Sequence, residues 1–161
     1  MKKRILMVCL GNICRSPLAE GVFVQLAKEK GLSEHFEVDS AGTIAAHMGE
    51  LPDHRSRKVA ENHGFKLTHQ ARQFTRKDFE LFDEILVMDD SNYDDVISLA
   101  KKPEHEAKVK RIVEFDPRSD APDSVSDPYY GNVNHFEAIY EQLQHCMYGY
   151  FIKNSSSNSD S

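Results

Sequence analysis

Ile5-Leu6-Met7-Val8-Cys9-Leu10-Gly11-Asn12-Ile13-Cys14-Arg15-Ser16-Pro17 begins as an apolar run and ends on a proline suited to the first turn of a helix. The stretch reads as a strand, a short loop and a helix start. Helix N termini carry backbone N–H groups without intrahelical partners, and the helix dipole adds partial positive charge there, so loops in this position suit anions. Cys9 and Arg15 are six positions apart across this loop. They put a thiol and a guanidinium around a single small anion, and the stretch is therefore read as a reactive site with its own anion clamp.

Outward from the loop, Ala19, Val22, Phe23, Leu26 and Ala27 repeat at helical spacing until Gly31. Phe36 to Ser40 alternates like a short strand and enters the Ala41-Gly42-Thr43 turn. A helix is expected from Arg55 to His63, closed by Gly64, and Thr75 with Asp78 suggests a capping box for a short one. Glu84 to Met88 reads as a buried strand, Ser91 with Asp94 as the start of a helix, and Val109 to Phe115 as a fourth strand. Residues 116–132, rich in Asp, Pro, Ser and Gly, read as a long loop. Asn134 with Glu137 is expected to cap a last helix ending near Lys153. Strands alternating with helices predict an α/β fold, a single domain (1–154) with a four-stranded parallel sheet flanked by helices, followed by a disordered Ser-rich tail (155–161). Such sheets place ligands at the carboxyl ends of their strands, where Cys9, Ser40 and Asp89 fall.

Composition narrows the function. The 161 residues carry 20 basic and 26 acidic side chains, net −6, with no basic run longer than Lys2-Lys3-Arg4, which argues against a nucleic-acid partner. No apolar stretch has the length of a membrane span and no signal-peptide pattern precedes the first strand, so a cytoplasmic protein without membrane attachment is expected. Three cysteines, Cys9, Cys14 and Cys146, fit neither a disulfide framework nor a zinc knuckle, and the eight histidines show no paired metal spacing. Thiol chemistry is the better reading. Thiolate is the nucleophilic form, and a helix N terminus beside a guanidinium favours it at Cys9. Arg15 offers a planar fork for two phosphate oxygens. Gly11 lets the backbone turn its amides inward, and Ser16 can donate to the Cys9 sulfur. Attack of Cys9 on phosphorus would give a phosphocysteine that water hydrolyses. A departing oxygen needs a proton, and Asp127, in Asp127-Pro128-Tyr129-Tyr130-Gly131, is the donor expected; Asp116-Pro117 is a rival without the aromatic pair.

Cys9 to Pro17 together with Asp127 to Gly131 resembles the low-molecular-weight protein tyrosine phosphatase family. The likeness covers roughly residues 4–150 and includes Asp39-Ser40-Ala41-Gly42-Thr43 and Val87-Met88-Asp89. It implies Cys9 as nucleophile, Arg15 as the phosphoryl clamp and Asp127 as acid and then base. Leu10, Gly11, Asn12, Ile13, Cys14 and Ser16 would form the phosphate-binding loop, with Asn12, Ser16, Ser40 and His69 as a network shaping it. Substrates would be phosphotyrosine-containing proteins and the product inorganic phosphate, with no metal or cofactor. Ile13 stands where relatives acting on phosphoarginine carry threonine, which favours phosphotyrosine. Tyr129 and Tyr130 would border the substrate cleft. Ala46 falls near the place of an aromatic wall found in many relatives, and His47 would substitute in part.

Three readings stand beside these. Cys14 either packs as a small apolar side chain or closes a reversible disulfide with Cys9. A thiol-coupled arsenate reductase can share the fold and loop, but relay enzymes of that kind need cysteines beyond Cys14 and the remote Cys146. A catalytically silent phosphate-binding module is disfavoured by the joint presence of Cys9, Arg15 and Asp127.

Overall fold

The computed structural model describes residues 2–159, the last five by backbone alone. Four strands, β1 (Lys3–Cys9), β2 (Phe36–Gly42), β3 (Glu84–Val87) and β4 (Val109–Arg111), form one sheet in the order β2-β1-β3-β4. Every pairing is parallel, with Met7 opposite Ser40 and Leu86, and Cys9 opposite Gly42. Helices α1 (Arg15–Glu29), α2 (His54–Asn62), α3 (Asp78–Leu81), α4 (Asp90–Ile97), α5 (Pro103–Glu106) and α6 (Val133–Ser159) complete the fold.

Strand alternation divides the core in two. Ile5, Met7 and Cys9 project with Leu86 and Met88 into a cluster closed by α1, α2 and α6. Leu6 and Val8 project with Ile85 and Val87 toward Phe74, Phe79, Phe82 and Val96 on the other face. With both faces covered, β1 and β3 are apolar almost throughout, as a buried parallel sheet requires. The chain leaves β1 toward β2 and leaves β3 toward β4 on the opposite side, so the strand order reverses at the neighbouring carboxyl ends of β1 and β3. Crevices for ligands open at such a reversal. The Cys9–Arg15 loop emerges from one of these ends and Asp89 from the other.

Several boundaries differ from the sequence reading. The cap of α4 is Asp89, two residues before Ser91, its carboxylate accepting from the Asn92 N–H at 2.8 Å. Asn132 accepts from the His135 N–H and starts α6, whereas Glu137 is drawn away to His63. At Thr75 only half of the capping box forms: Asp78 accepts from the Thr75 N–H while also holding Arg72. The fourth strand is three residues long, and Ile112–Phe115 tightens into a 3₁₀ turn. Helix α5 had no sequence counterpart; at four residues with Pro103 at its start, it lacks periodicity. Helix α6 passes Lys153, since no Gly or Pro follows to stop it. The side chains of the Ser-rich segment 155–161 lie outside the described residues.

At the amino end of the sheet, away from the crevice, Glu84 is 6 % exposed. Lys3 lies 2.5 Å from its Oε1, Lys110 3.0 Å from Oε2, and the Tyr150 hydroxyl donates to Oε1 at 2.7 Å, joining α6 to β3. Burial pushes the Glu84 carboxyl up, but hydrogen bonds from Lys3, Tyr150 and Lys110 outweigh it and hold it below its ordinary value. A depressed carboxyl stabilises the fold above its unfolded-state value, and that stability is lost as pH falls through the folded one. Glu84→Gln is therefore expected to cost about 2 kcal/mol at pH 7. Denaturant unfolding at pH 7 and at lower pH should show wild type and variant converging as the medium is acidified.

Candidate active site

Between β1 and α1 the backbone turns sharply, and Asn12 takes up the left-handed conformation at φ 59°. Asparagine is among the few side chains suited to it. Opposite lies Gly42, where a Cβ atom would sit 2.7 Å from the Leu10 carbonyl oxygen and 3.0 Å from the Asn12 nitrogen, so the end of β2 can lie directly against the loop. The outer carbonyls are held: Thr43 N–H donates to Cys9 O, Ile44 N–H to Leu10 O, and Asp53 N–H to Ile13 O at 2.7 Å. Ser56 Oγ donates to Cys14 O at 3.2 Å. With the carbonyls tied outward, the N–H groups from Gly11 to Cys14 have no protein acceptor among the described residues. They are available to an anion.

Cys9 Sγ and Ser16 Oγ are 3.0 Å apart. Ser16 Oγ accepts from Asn12 Nδ2 at 2.8 Å, and its single proton faces the Cys9 sulfur and, at a longer 3.5 Å, the Ala41 carbonyl. The second Nδ2 proton of Asn12 goes to Ser40 Oγ at 3.0 Å, and Ser40 donates to Glu20 at 2.7 Å. Asn12 Oδ1 accepts from the Arg72 backbone N–H at 2.9 Å, which identifies that atom as the oxygen, so His69 Nε2 donates to it at 2.8 Å. The other ring nitrogen, Nδ1, faces Asp39 at 3.2 Å and Glu20 at 3.6 Å. Burial raises the Glu20 carboxyl against the bond from Ser40, whereas hydrogen bonds from His69 and the Ser40 backbone, with Arg72 nearby, overcome burial and lower Asp39. Glu20, Asp39 and His69 bring donor atoms within 4.8 Å of one another, the spacing a metal would need. However, His69 is engaged with Asn12 and Asp39 with Arg72. The group reads as an ion cluster under the loop.

Arg15 is 2 % exposed. Its Nη1 donates to Asp89 Oδ2 at 2.6 Å and to Val125 O at 3.0 Å, and its Nη2 lies 3.8 Å from Asp127 Oδ2. Burial opposes the guanidinium charge; Cys9, Asp89 and Asp127 more than restore it and raise its pKa. Asp127, 43 % exposed at its side chain, accepts from the Tyr129 N–H through Oδ1. Burial, with Asp53, Cys9 and Asp127 nearby, pushes the Cys14 thiol up, so it stays protonated.

These groups share a cleft of about 280 Å³ whose floor is Cys9 to Arg15 and whose walls are Ile44, His47, Asp127, Tyr129 and Tyr130. The His47 and Tyr129 rings are 6.2 Å apart, and Tyr129 meets Tyr130 edge to face. Ala46 is exposed and does not line the cleft; the turn carries it outward and brings Ile44, which the sequence reading overlooked, inward. Asn12, Ser16, Ser40 and His69 lie beneath the floor. Asp116, the rival acid, is held by Arg118 at 2.7 Å and stays outside the cleft. Also overlooked were Glu20, Asp39 and Arg72 beneath the loop, and Asp89 as the partner of Arg15. Such a site can hold a tetrahedral oxyanion against a thiol, with a carboxyl on the open side.

Comparison with known proteins agrees. The family described as low molecular weight phosphotyrosine protein phosphatase matches residues 4–157. The chain belongs to this family. It is 41% identical over 152 residues to the low molecular weight phosphotyrosine protein phosphatase of Homo sapiens, spanning 94% of this chain and 95% of that one. Among solved structures, the protein tyrosine phosphatase of Entamoeba histolytica, with Hepes in its active site, superposes at TM-score 0.92 and 33% identity over 98% of this chain and 99% of its own. A Drosophila arginine phosphatase superposes at TM-score 0.87 and 30% identity, covering 96% and 98%. Within this phosphatase fold, Asn12 carries four hydrogen bonds that tie the loop to β2, α1 and residues 69–72. Asn12→Ala is expected to weaken inorganic phosphate binding roughly tenfold, about 1.4 kcal/mol, and to lower the melting temperature. Calorimetric titration with phosphate and thermal unfolding check both.

Proposed function

We propose that the protein hydrolyses phosphotyrosine in protein substrates through a phosphocysteine intermediate. The observation that carries this reading is that Cys9, Arg15 and Asp127 line one cleft, with Arg15 facing both of the others. The Cys9 thiolate attacks phosphorus while the loop N–H groups and the Arg15 fork hold the non-bridging oxygens. As the P–O bond to tyrosine breaks, Asp127 gives its proton to the departing oxygen. Asp127, now a carboxylate, takes a proton from water as the water attacks the phosphocysteine, which releases inorganic phosphate and restores the thiolate. Tyr129, Tyr130 and His47 supply flat walls for an aryl ring. Ile13 on the floor favours phosphotyrosine over phosphoarginine by its apolar side chain.

A regulatory step accompanies this reading. Peroxide would oxidise the Cys9 thiolate to a sulfenic acid, and Cys14, giving its proton to the departing hydroxyl, would attack that sulfur as the thiolate, expelling water and forming a disulfide that a thiol reductant reopens. Such an enzyme depends on reduced cysteines, and all three are free, which supports a cytoplasmic location. Arsenate reduction by a thiol relay is disfavoured because Cys146 is fully buried on α6 and only Cys14 accompanies Cys9 in the cleft.

Turnover measured side by side on phosphotyrosine, phosphoserine and phosphoarginine should favour phosphotyrosine. Cys9→Ser should abolish turnover while still binding inorganic phosphate; an active Cys9→Ser enzyme would remove Cys9 from the mechanism. Asp127→Ala should lower kcat/KM by roughly a hundredfold or more for a tyrosine-like leaving group and far less for a strongly acidic phenol. Equal losses on both would argue against Asp127 as the acid.

A further inference from the structure

Asp127 lies in residues 116–132, a segment without helix or strand before α6, yet an acid catalyst must be held within hydrogen-bond reach of the leaving oxygen. On its N-terminal side the segment is pinned at Val125, whose N–H donates to Met88 O at 2.9 Å and whose carbonyl accepts from Arg15. On the C-terminal side, ahead of the Asn132 cap of α6, two carbonyls are held by one guanidinium, that of Arg55 near the start of α2. Its Nη2 donates to Tyr129 O at 2.8 Å and its Nη1 to Gly131 O at 2.5 Å. Its Nε and Nη2 also fork onto the Asp53 carboxylate, at 3.0 Å each. The guanidinium lies 4.4 Å from the Phe136 ring, which supports it from α6.

We propose that Arg55 is the positioning residue that sets the general acid over the phosphate loop. A continuous path of bonds supports this. Asp53, which anchors Arg55, donates its own N–H to Ile13 O on the loop floor. Arg55 then grips the carbonyl of Tyr129, while the N–H of the same residue donates to Asp127 Oδ1. Tyr129 is thus held from both ends, and Asp127 is fixed relative to the floor from which Cys9 attacks. Arg55 does not line the cleft, so it acts through Asp127 and not on substrate. Only a planar fork spans two carbonyls and a carboxylate together; a lysine ammonium offers one point of charge.

The inference rests on the proposed role of Asp127, and a double-mutant cycle separates the two. Arg55→Met should lower kcat/KM for a tyrosine-like leaving group by roughly tenfold or more, part of what a general acid contributes, and for a strongly acidic phenol by less than about twofold. In an Asp127→Ala background, Arg55→Met should add almost nothing. Inorganic phosphate binding should be unchanged in Arg55→Met, which shows that the floor is intact, and Arg55→Lys should restore only part of the loss. Equal losses for both leaving groups, full restoration by lysine, loss of phosphate binding, or multiplication of the two single effects would each overturn the role of Arg55. Failure of the underlying reading shows differently, as an Asp127→Ala single variant without leaving-group dependence.

Discussion

A guanidinium taken out of water is costly unless its donors are satisfied and its charge is matched, and Arg15 is almost wholly buried. Much of the chain around the crevice is arranged to meet that demand. Asp89, brought there by the end of β3, takes one nitrogen at 2.6 Å, and the carbonyl of Val125 takes the same nitrogen at 3.0 Å. These two bonds fix three separate segments to one side chain: the start of α1, the cap of α4 and the middle of the 116–132 loop. Asp89 serves twice, accepting from the Asn92 N–H through its other oxygen. Nη2 is left facing Asp127 at a looser 3.8 Å. The rigid half of the fork is thus structural and the other half faces the cleft, which is why losing this residue would disturb the loop path as well as anion binding.

The support for the loop itself is of another kind. Asn12 adopts a backbone conformation few residues tolerate, and its amide is saturated, with two donors and two accepted bonds. A fully satisfied polar network holds one geometry, because any shift leaves a buried group unpaired. The consequence is a floor held in one shape, the preorganisation that electrostatic catalysis requires. Glu20, Asp39, His69 and Arg72 hold that network in place from beneath.

Much of the architecture was legible in the sequence because it depends on short-range pattern. The apolar runs Ile5 to Val8 and Ile85 to Met88 and the helical spacing from Ala19 to Ala27 are properties of neighbours. The loop was legible for the same reason, its thiol, guanidinium and hydroxyl falling within eight residues. What stayed hidden is long-range. Arg15 and Asp89 are 74 positions apart, Asn12 and His69 57, Arg55 and Gly131 76, and no local pattern marks such pairings. Caps shifted for a related reason. Several Asp, Asn and Ser residues near each helix start can serve, and tertiary contacts choose among them, as His63 does by engaging Glu137. Ala46 illustrates the limit at the site: the path of a turn, closed by Met48 N–H to Ala45 O and Glu50 N–H to His47 O, decides whether position 44 or 46 faces the cleft, and the side chains alone do not reveal which.

Two cysteines in one loop could interfere with one another, and the fold separates them electrostatically. Cys9 faces the Ser16 hydroxyl and the Arg15 charge, whereas Cys14 is turned into the core beside Asp53, where burial and the neighbouring carboxylates keep it protonated. A protonated thiol does not compete for the phosphoryl group, and it must give up its proton before it can attack a sulfenic acid. The carbonyls of Ile13 and Cys14 are clamped by the start of α2, through the Asp53 N–H and Ser56 Oγ. The same helix start, through Arg55, grips the Tyr129 and Gly131 carbonyls beside the acid. One helix end thus holds both the floor of the cleft and the segment that carries Asp127, so the position of each is set by the other.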